Sequence, residues 1–160
     1  MHSAHHKPDL TLELPAEADT LALGAALAPS LMAGMVVYLS GELGAGKTTL
    51  ARGILRGLGY PGRAKSPTFT LVEAYKLSRL YLYHFDFYRF NDPRELGDAG
   101  FRDYFGPEAV CLVEWPENAA GMIPPADLKL EVTVLGSGRE ARLGFGTEAG
   151  RLCLEQLKQR

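Results

Sequence analysis

The chain has 160 residues, of which 46% are hydrophobic and 22% charged, and its formal net charge at pH 7 is -2. This length and composition predict one domain with a buried core, and the slight negative charge argues against a general attraction to polyanions such as nucleic acid. No apolar run approaches the roughly 20 residues of a membrane-spanning helix, and the N-terminus lacks an apolar signal segment, so we expect a cytoplasmic protein without membrane contact.

The first predicted elements precede a glycine-rich loop. Residues 1–9 are polar and hold three of the four histidines; we predict a flexible tail there, with a metal site at the histidines as the alternative. Residues 10–15 (LTLELP) alternate like a short strand, and residues 16–31 carry apolar side chains at helical spacing. Residues 34–40 (GMVVYLS) form a continuous apolar run, which is typical of a strand buried on both faces. We predict a single domain over residues 10–160.

A helix and two strands are predicted next. Residues 47–58 read as a helix, with Gly57 and Gly59 as its stop signals. Residues 69–77 and 79–90 are rich in aromatic and β-branched side chains, which favour strands. The short polar connection between these strands predicts a hairpin.

The C-terminal part of the chain completes the predicted fold. Residues 91–105 begin with a good helix start, in which Asp92 is the N-cap. Residues 109–115 read as another buried strand, residues 128–146 as a hairpin around a Gly-Ser-Gly turn, and residues 147–160 as a closing helix. Strands mixed with helices predict a three-layer α/β domain, in which helices flank a sheet that the hairpins make mixed.

One motif carries a strong chemical prediction. Residues 41–48 (GELGAGKT) satisfy the pattern GxxxxGK[ST] of a phosphate-binding loop, and they lie between a predicted strand and a predicted helix, as this motif requires. Glycines let successive backbone N–H groups turn towards phosphate oxygens, and the N-terminus of the following helix adds partial positive charge. We therefore predict a domain of the P-loop NTPase type; a flexible turn before an ordinary helix is the alternative.

The loop residues have distinct predicted roles. Lys47 would reach the β- and γ-phosphates and act in catalysis, and the Thr48 hydroxyl would coordinate Mg²⁺. The residues of this motif predicted to bind the nucleotide are Gly41, Glu42, Leu43, Gly44, Ala45, Gly46, Lys47 and Thr48.

Two acidic residues are candidates for the metal. A Mg²⁺-dependent nucleotide hydrolase needs a carboxylate at the end of a neighbouring buried strand. Glu114 ends the apolar run VCLV, and alternation along the strand at 79–90 puts His84, Asp86 and Tyr88 on one face. A polar stripe on such an aromatic strand is costly to bury unless its members pair or meet a ligand. We predict that Glu114 and Asp86 act on the metal and in catalysis, with His84 nearby; solvent-facing side chains are the alternative.

Two further residues are candidates for the nucleotide site. Residues 65–70 (KSPTFT) follow the predicted helix where nucleotide hydrolases carry a switch segment, so Thr68 is predicted to sense the γ-phosphate. Plain turn chemistry at its Ser-Pro pair is the alternative. Trp115 directly follows Glu114, which would put its ring near the nucleotide unless it packs in the core.

The residues alone leave two classes of function open. The tetrapeptide N-K-x-D, which reads guanine in GTP-specific switches, is absent from the sequence, so we expect ATP. A small-molecule kinase usually closes a lid with several arginines over its substrates, and the stretch after the phosphate-loop helix has no such cluster. An ATPase that acts on a partner protein is therefore favoured, with a small-molecule P-loop kinase as the alternative.

Five segments occur in a characteristic order and spacing: GELGAGKTTLARGILRGLG, KSPTFTLVEAY, YHFDFYR, ELGDAGFRDYF and LVEWPENA. Together they closely resemble the bacterial TsaE family, formerly called YjeE, from about residue 14 to about residue 134. The resemblance implies a Mg²⁺-dependent ATPase in the machinery that makes N6-threonylcarbamoyladenosine, a modified adenosine next to the anticodon of tRNA. It also implies that the protein joins TsaD, the transferase, and TsaB, that ATP hydrolysis permits repeated turnover, and that these partners hold most of the tRNA.

The resemblance implies residue roles that agree with those read from the motifs. It assigns residues 41–49 to the phosphates, Thr48 and Glu114 to Mg²⁺, Asp86 to the vicinity of the metal and γ-phosphate, Thr68 to a switch-like loop and Trp115 to the nucleotide. The N-terminal histidines and the final helix lie outside the resemblance.

Overall fold

The elements of the chain follow the predicted order. The computed structural model describes residues 8–42, 44–63, 71–89 and 100–159. The strands in these ranges are β1 (Leu10–Leu14), β2 (Val36–Ser40), β3 (Val72–Lys76), β4 (Tyr81–Asp86), β5 (Ala109–Glu114), β6 (Leu128–Leu135) and β7 (Gly138–Phe145). The α-helices in the same ranges are α1 (Glu17–Leu27), α2 (Lys47–Gly57) and α3 (Glu148–Lys158), and short 3-10 helices span Ala28–Ser30, Phe101–Tyr104 and Pro116–Ala119.

The structure confirms the predicted strands and both predicted hairpins. It also confirms the helices predicted in residues 16–31, 47–58 and 147–160, which are α1, α2 and α3. Two predictions concern residues that the structure does not describe. Most of the predicted tail is within residues 1–7, and the predicted helix start at Asp92 is within residues 90–99. The described end of the latter segment, Phe101–Tyr104, is a 3-10 helix. None of the helices in the described ranges has both the length and the apolar composition to span a bilayer.

The strands form one sheet in the order β1-β7-β6-β2-β5-β4-β3. The central strands β6, β2, β5 and β4 are parallel, whereas β7, β1 and β3 join by antiparallel pairing, so the predicted mixed sheet is confirmed. The carboxyl ends of parallel strands meet at one edge of a sheet, which is where α/β folds bind ligands. At this edge Glu114 of β5 is paired with Leu39 of β2 on one side and with Asp86 of β4 on the other.

The two faces of the sheet are covered differently. Every residue of β5 is buried, and alternation sends Val110 to one face and Cys111 to the other. Side chains of α1, α2 and α3 pack on the first face. Within the described residues, 3-10 helices and loops cover the second face, where Phe85 and Phe87 are fully buried. The predicted α/β class is confirmed, although no α-helix of the described chain lies on this second face.

Helix α2 is held against α1 by close backbone contact. A Cβ on Gly53 would collide with the Leu21 carbonyl of α1, and a Cβ on Gly57 would lie 2.9 Å from the Ala25 carbonyl oxygen of the same helix. The predicted stop at Gly59 is confirmed, because this residue has a φ of +89° just beyond the end of α2. Gly57, in contrast, is the last helical residue and serves the packing of the two helices. This contact fixes α2 and therefore the start of the helix at the carboxyl edge of the sheet.

Candidate functional site

The predicted phosphate-binding loop connects β2 to α2, and its residue Leu43 lies outside the described residues. A Cβ at Gly41 would collide with the Val132 carbonyl of β6, so the backbone needs glycine there. The Ala45 N–H donates to the Glu42 carbonyl over 3.1 Å, which closes a tight turn. The first N–H groups of α2 have no acceptor inside the helix, so the start of α2 offers N–H donors to an anion.

Lys47, the first residue of α2, turns its ammonium back over this loop. Only 5% of the side chain is exposed. Its Nζ donates to the Gly41 carbonyl over 2.6 Å and lies 3.8 Å from Glu114 Oε1 and 4.2 Å from the centroid of the Trp115 ring. A buried ammonium is costly unless it is paired, and here a carbonyl, a carboxylate and an aromatic face stabilise it. A phosphate group can replace such contacts.

Glu114, the last residue of β5, is buried and holds two basic partners with different oxygens. Its Oε2 lies 2.5 Å from Nε2 of His84, and its Oε1 faces Lys47. An ionised carboxylate only accepts hydrogen bonds, so Nε2 of His84 carries the proton in this contact. Removing one partner of such a buried pair would leave a polar group without compensation. The pairing therefore holds Glu114 in one orientation at the carboxyl edge.

Asp86, the last residue of β4, is half-buried beside Glu114. Its Oδ1 accepts the Tyr88 N–H over 2.9 Å. Burial raises the pKa of Asp86 above its ordinary value, and the negative charge of Glu114 raises this pKa further, while the Tyr88 N–H and the charges of His84 and Lys47 lower it. The predicted alternation is confirmed for His84 and Asp86, but Tyr88 lies in the turn beyond the strand.

Trp115 occupies a strained backbone conformation between β5 and the next 3-10 helix. Its φ is +56°, and it is the one non-glycine residue with positive φ in the described chain. Such a conformation costs on the order of 1 kcal/mol and persists where the surroundings impose it. The Asn118 side chain donates to the Phe87 carbonyl over 2.9 Å, and the Tyr88 ring lies 5.1 Å from the Trp115 ring. The indole thus packs against Tyr88, and the Lys47 ammonium lies over its ring.

A cavity of about 400 Å³ opens beside the loop. Its walls come from the connection between β1 and α1, from the loop and α2, and from the β6–β7 hairpin. The lining residues are Leu14, Pro15, Ala16, Glu17, Thr20, Gly44, Gly46, Thr49, Ser137, Gly138 and Arg139. The volume falls within the range of pockets that hold small molecules.

The structure brings Lys47, Glu114, Asp86 and Trp115 together at the carboxyl edge. Thr48 follows Lys47 in the first turn of α2 and is exposed there. Two predicted residues, Leu43 and Thr68, lie outside the described residues. The contribution of each residue to ligand binding or catalysis stays a prediction.

Two residues at the site were missed by the sequence analysis. Asn118 belongs to the segment LVEWPENA. Asn side chains in turns commonly hydrogen-bond to the backbone, so a contact of this kind could have been predicted. Arg139 donates to the carbonyls of Gly44 and Ala45 in the loop. No local sequence pattern predicts the contact of Arg139 with the loop, because it joins residues that are far apart in the chain.

The sequence matches a family model described as "Threonylcarbamoyl adenosine biosynthesis protein TsaE" over residues 14–142. The chain belongs to the TsaE family. It is 43% identical over 147 residues to the tRNA threonylcarbamoyladenosine biosynthesis protein TsaE of Haemophilus influenzae, a match that covers 89% of this chain and 93% of that one. It is 38% identical over 124 residues to TsaE of Bacillus subtilis, over 78% of this chain and 76% of that one.

The fold agrees with a solved structure of similar size. The crystal structure of YdiB from Bacillus subtilis matches this one with a TM-score of 0.80 and 30% sequence identity, and the match covers 96% of this chain and 97% of that chain. The resemblance to the TsaE family and the predicted α/β fold are thus confirmed. Membership of the TsaE family links the chain to the biosynthesis of threonylcarbamoyladenosine in tRNA.

Proposed function

We propose that this TsaE-family protein binds Mg²⁺–ATP at the carboxyl edge of its sheet and hydrolyses it. The observation that carries the proposal is the buried contact between Lys47, in a loop of the GxxxxGK[ST] pattern, and Glu114, at the end of a neighbouring strand. A phosphate-binding lysine and a strand-end carboxylate are the pair that P-loop hydrolases use around the metal and the terminal phosphates.

The donor set fits Mg²⁺ that arrives with a nucleotide. Carboxylates and hydroxyls are the oxygen ligands that Mg²⁺ prefers, and Glu114, Asp86 and Thr48 carry such groups at this edge. In the described part of the chain, no group of three or more His, Cys, Asp or Glu side chains is arranged to hold a metal ion without other ligands. Mg²⁺ commonly keeps waters and binds through one or two carboxylates plus substrate phosphates. When bound, Mg²⁺ would neutralise charge that develops on the phosphate oxygens.

The chain's own side chains have defined tasks in this proposal. Lys47 exchanges its contact with the Gly41 carbonyl for phosphate oxygens. His84 keeps Glu114 oriented through Oε2, which leaves Oε1 for the metal or its water. Asp86, which lies in register beside Glu114, would orient the attacking water. Trp115 covers the site next to Lys47 and limits access of solvent to it.

The cavity beside the loop is a candidate location for the nucleoside. It opens next to Gly44, Gly46 and Thr49, so a nucleotide with its phosphates in the loop has room for ribose and base there. The absence of the N-K-x-D tetrapeptide from the sequence supports adenine rather than guanine. We therefore propose ATP as the nucleotide.

We further propose that ATP hydrolysis serves TsaD and TsaB in the modification of tRNA. Family membership supports this role, and so does the composition of the site. The guanidinium of Arg139 is already engaged with loop carbonyls, so the described residues supply Lys47 as the cation over the loop. A partner that adds a cation in trans, as arginine fingers do, would complete such a site.

The proposal is tested by measuring release of inorganic phosphate from ATP. The purified protein alone should hydrolyse ATP slowly, and added TsaB and TsaD should raise the rate. The Lys47→Ala variant serves as the control for contaminating activity. Transfer of the γ-phosphate to a small-molecule acceptor instead of water would favour the kinase alternative and contradict the proposal.

A further inference from the structure

Arg139 connects the start of β7 to the phosphate-binding loop. Its Nε donates to the Ala45 carbonyl over 2.9 Å, and its Nη2 donates to the Gly44 carbonyl over 3.2 Å. Its Nη1 donates to the Gly138 carbonyl over 2.9 Å, which ties the guanidinium to the β6–β7 hairpin itself. One side chain therefore fastens two consecutive loop carbonyls to a rigid part of the sheet.

The direction of these carbonyls decides the direction of the loop amides. A trans peptide points its C=O and its N–H in opposite directions, and the described chain has no cis peptide bonds. The carbonyl of Ala45 shares a peptide with the N–H of Gly46. Because Arg139 holds the Ala45 carbonyl towards β7, the Gly46 N–H points away from β7. We take that side of the loop to be the one on which the motif binds phosphate.

The peptide between Gly44 and Ala45 is held at both ends. Its carbonyl accepts from Arg139, and its N–H donates to the Glu42 carbonyl. By contrast, the contact of Lys47 with the Gly41 carbonyl is one that we propose Lys47 exchanges when it turns to phosphate. The contacts of Arg139 need not change on binding, so they can hold the loop both with and without a ligand.

We propose that Arg139 is a positioning residue that holds the phosphate-binding loop in the shape that binds phosphate. The inference rests on the proposed binding of ATP at this loop. A guanidinium suits the task because its planar fork reaches two acceptors at once, which the single ammonium of a lysine does not do with the same geometry. Arg139 also lines the cavity beside the loop, so a direct contact with the nucleoside is the competing explanation.

The test compares Arg139→Lys and Arg139→Gln with matched variants of Arg142. Arg142 lies on the same strand, but it is exposed and its Nε donates to Glu140 over 2.9 Å instead of to the loop. Binding of ATP and of inorganic tripolyphosphate is measured by calorimetry in the presence of Mg²⁺. Tripolyphosphate has no nucleoside, so it reports on the loop alone. A thermal melt of each variant without ligand checks that the fold is retained.

We expect both Arg139 variants to bind ATP and tripolyphosphate roughly tenfold more weakly, which is the factor expected if the Gly46 N–H no longer makes its hydrogen bond to phosphate. The Arg142→Lys and Arg142→Gln variants should bind both probes like the wild type. A loss confined to ATP would assign Arg139 to the nucleoside and overturn the inference. Unchanged binding of both probes, with or without a lower melting temperature, would reduce Arg139 to a structural role and overturn it as well.

The proposed function and this inference fail in different ways. If the wild-type protein binds neither ATP nor tripolyphosphate, the proposed function fails. If the wild type binds both and the Arg139→Gln variant binds them equally well, only the role of Arg139 fails. If Arg139→Lys does not fold, Arg139→Gln, which keeps a short hydrogen-bond donor, decides the question.

Discussion

Nζ of Lys47 lies 3.8 Å from Oε1 of Glu114, and both side chains are buried. The contact joins the first turn of α2 to the end of β5, and it stabilises two opposite charges that would be costly to bury alone. The same two groups face the place where the motif predicts the phosphates and the metal. Substitution of Lys47 and substitution of Glu114 should therefore have different effects, which measurements of ATP binding and of ATP hydrolysis can distinguish.

Removal of the Lys47 ammonium should slow turnover while the fold is kept, because His84 still pairs with Glu114. The Lys47→Ala variant should hydrolyse ATP at least about tenfold more slowly, because electrostatic stabilisation of developing charge is commonly the largest contribution to catalysis. Lys129→Ala is a suitable control, since Lys129 is exposed on β6. Phosphate release at saturating ATP is the measurement, and equal rates for Lys47→Ala and the wild type would show that the site is assigned wrongly.

Neutralising Glu114 should separate metal binding from nucleotide binding. In Glu114→Gln the amide oxygen can still accept from His84, so the fold should be kept. We expect hydrolysis to fall by about a hundredfold and Mg²⁺–ATP to bind about tenfold more weakly. ATP without Mg²⁺ should bind at least as well as to the wild type, because a negative charge has been removed.

Calorimetry with Mg²⁺ and with a chelator provides this comparison. Glu117→Gln is the matched control, because Glu117 is exposed in the neighbouring 3-10 helix. If Glu114→Gln weakens the binding of ATP equally with and without Mg²⁺, Glu114 acts on the fold of the site rather than on the metal.

The fluorescence of Trp115 should report nucleotide binding directly. Trp115 is the single tryptophan of the sequence, and its ring lies 4.2 Å from the Lys47 ammonium. When Lys47 turns to phosphate, this cation leaves the ring or is neutralised, so the emission should change in a saturable way. The Lys47→Ala variant should show a much smaller change. Unchanged emission of the wild type at saturating ATP would contradict the placement of Trp115 beside the nucleotide.

Much of this arrangement was predictable from local patterns. Apolar runs predicted β2 and β5, alternation predicted that His84 and Asp86 share a face, and the loop motif predicted the position of Lys47 at the start of a helix. These features depend on neighbouring residues and on the geometry of strands and helices, which the sequence displays directly.

Other features depend on contacts between distant residues. The hydrogen bonds from Arg139 to loop carbonyls, the close approach of Gly53 to α1 and the choice of His84 as the partner of Glu114 arise only when the elements pack. The left-handed backbone of Trp115 is also imposed by its surroundings, since nothing in the side chain favours it. Tertiary packing decides these details.

The raised pKa of Asp86 predicts that this side chain lowers the stability of the protein at neutral pH. Burial raises the pKa above the ordinary value of 3.8, so the folded state binds the proton more tightly than the unfolded chain does. Stability is therefore lost as the pH rises from the ordinary value through the raised one. The Asp86→Asn variant should melt at a higher temperature than the wild type at pH 7, and the difference should close as the pH falls to 3.8.

Hydrolysis by Asp86→Asn should nevertheless be about a hundredfold slower, because the neutral amide cannot orient water as the carboxylate does. Thermal melts across the acid range, together with phosphate release at pH 7, measure both effects. A variant that is less stable than the wild type at pH 7 would mean that the Tyr88 N–H and the charges of His84 and Lys47 stabilise the Asp86 carboxylate by more than burial costs.

The central claim is that ATP hydrolysis at Lys47 and Glu114 lets TsaD and TsaB modify tRNA repeatedly. The most direct measurement is the number of threonylcarbamoyladenosine residues formed per complex in a reconstituted reaction with TsaD, TsaB, excess tRNA and ATP. With the wild-type protein we predict many rounds. With Lys47→Ala, or without this protein, we predict about one round per complex, because release or resetting then limits turnover. Many rounds in the presence of Lys47→Ala, or in the absence of the protein, would contradict the account.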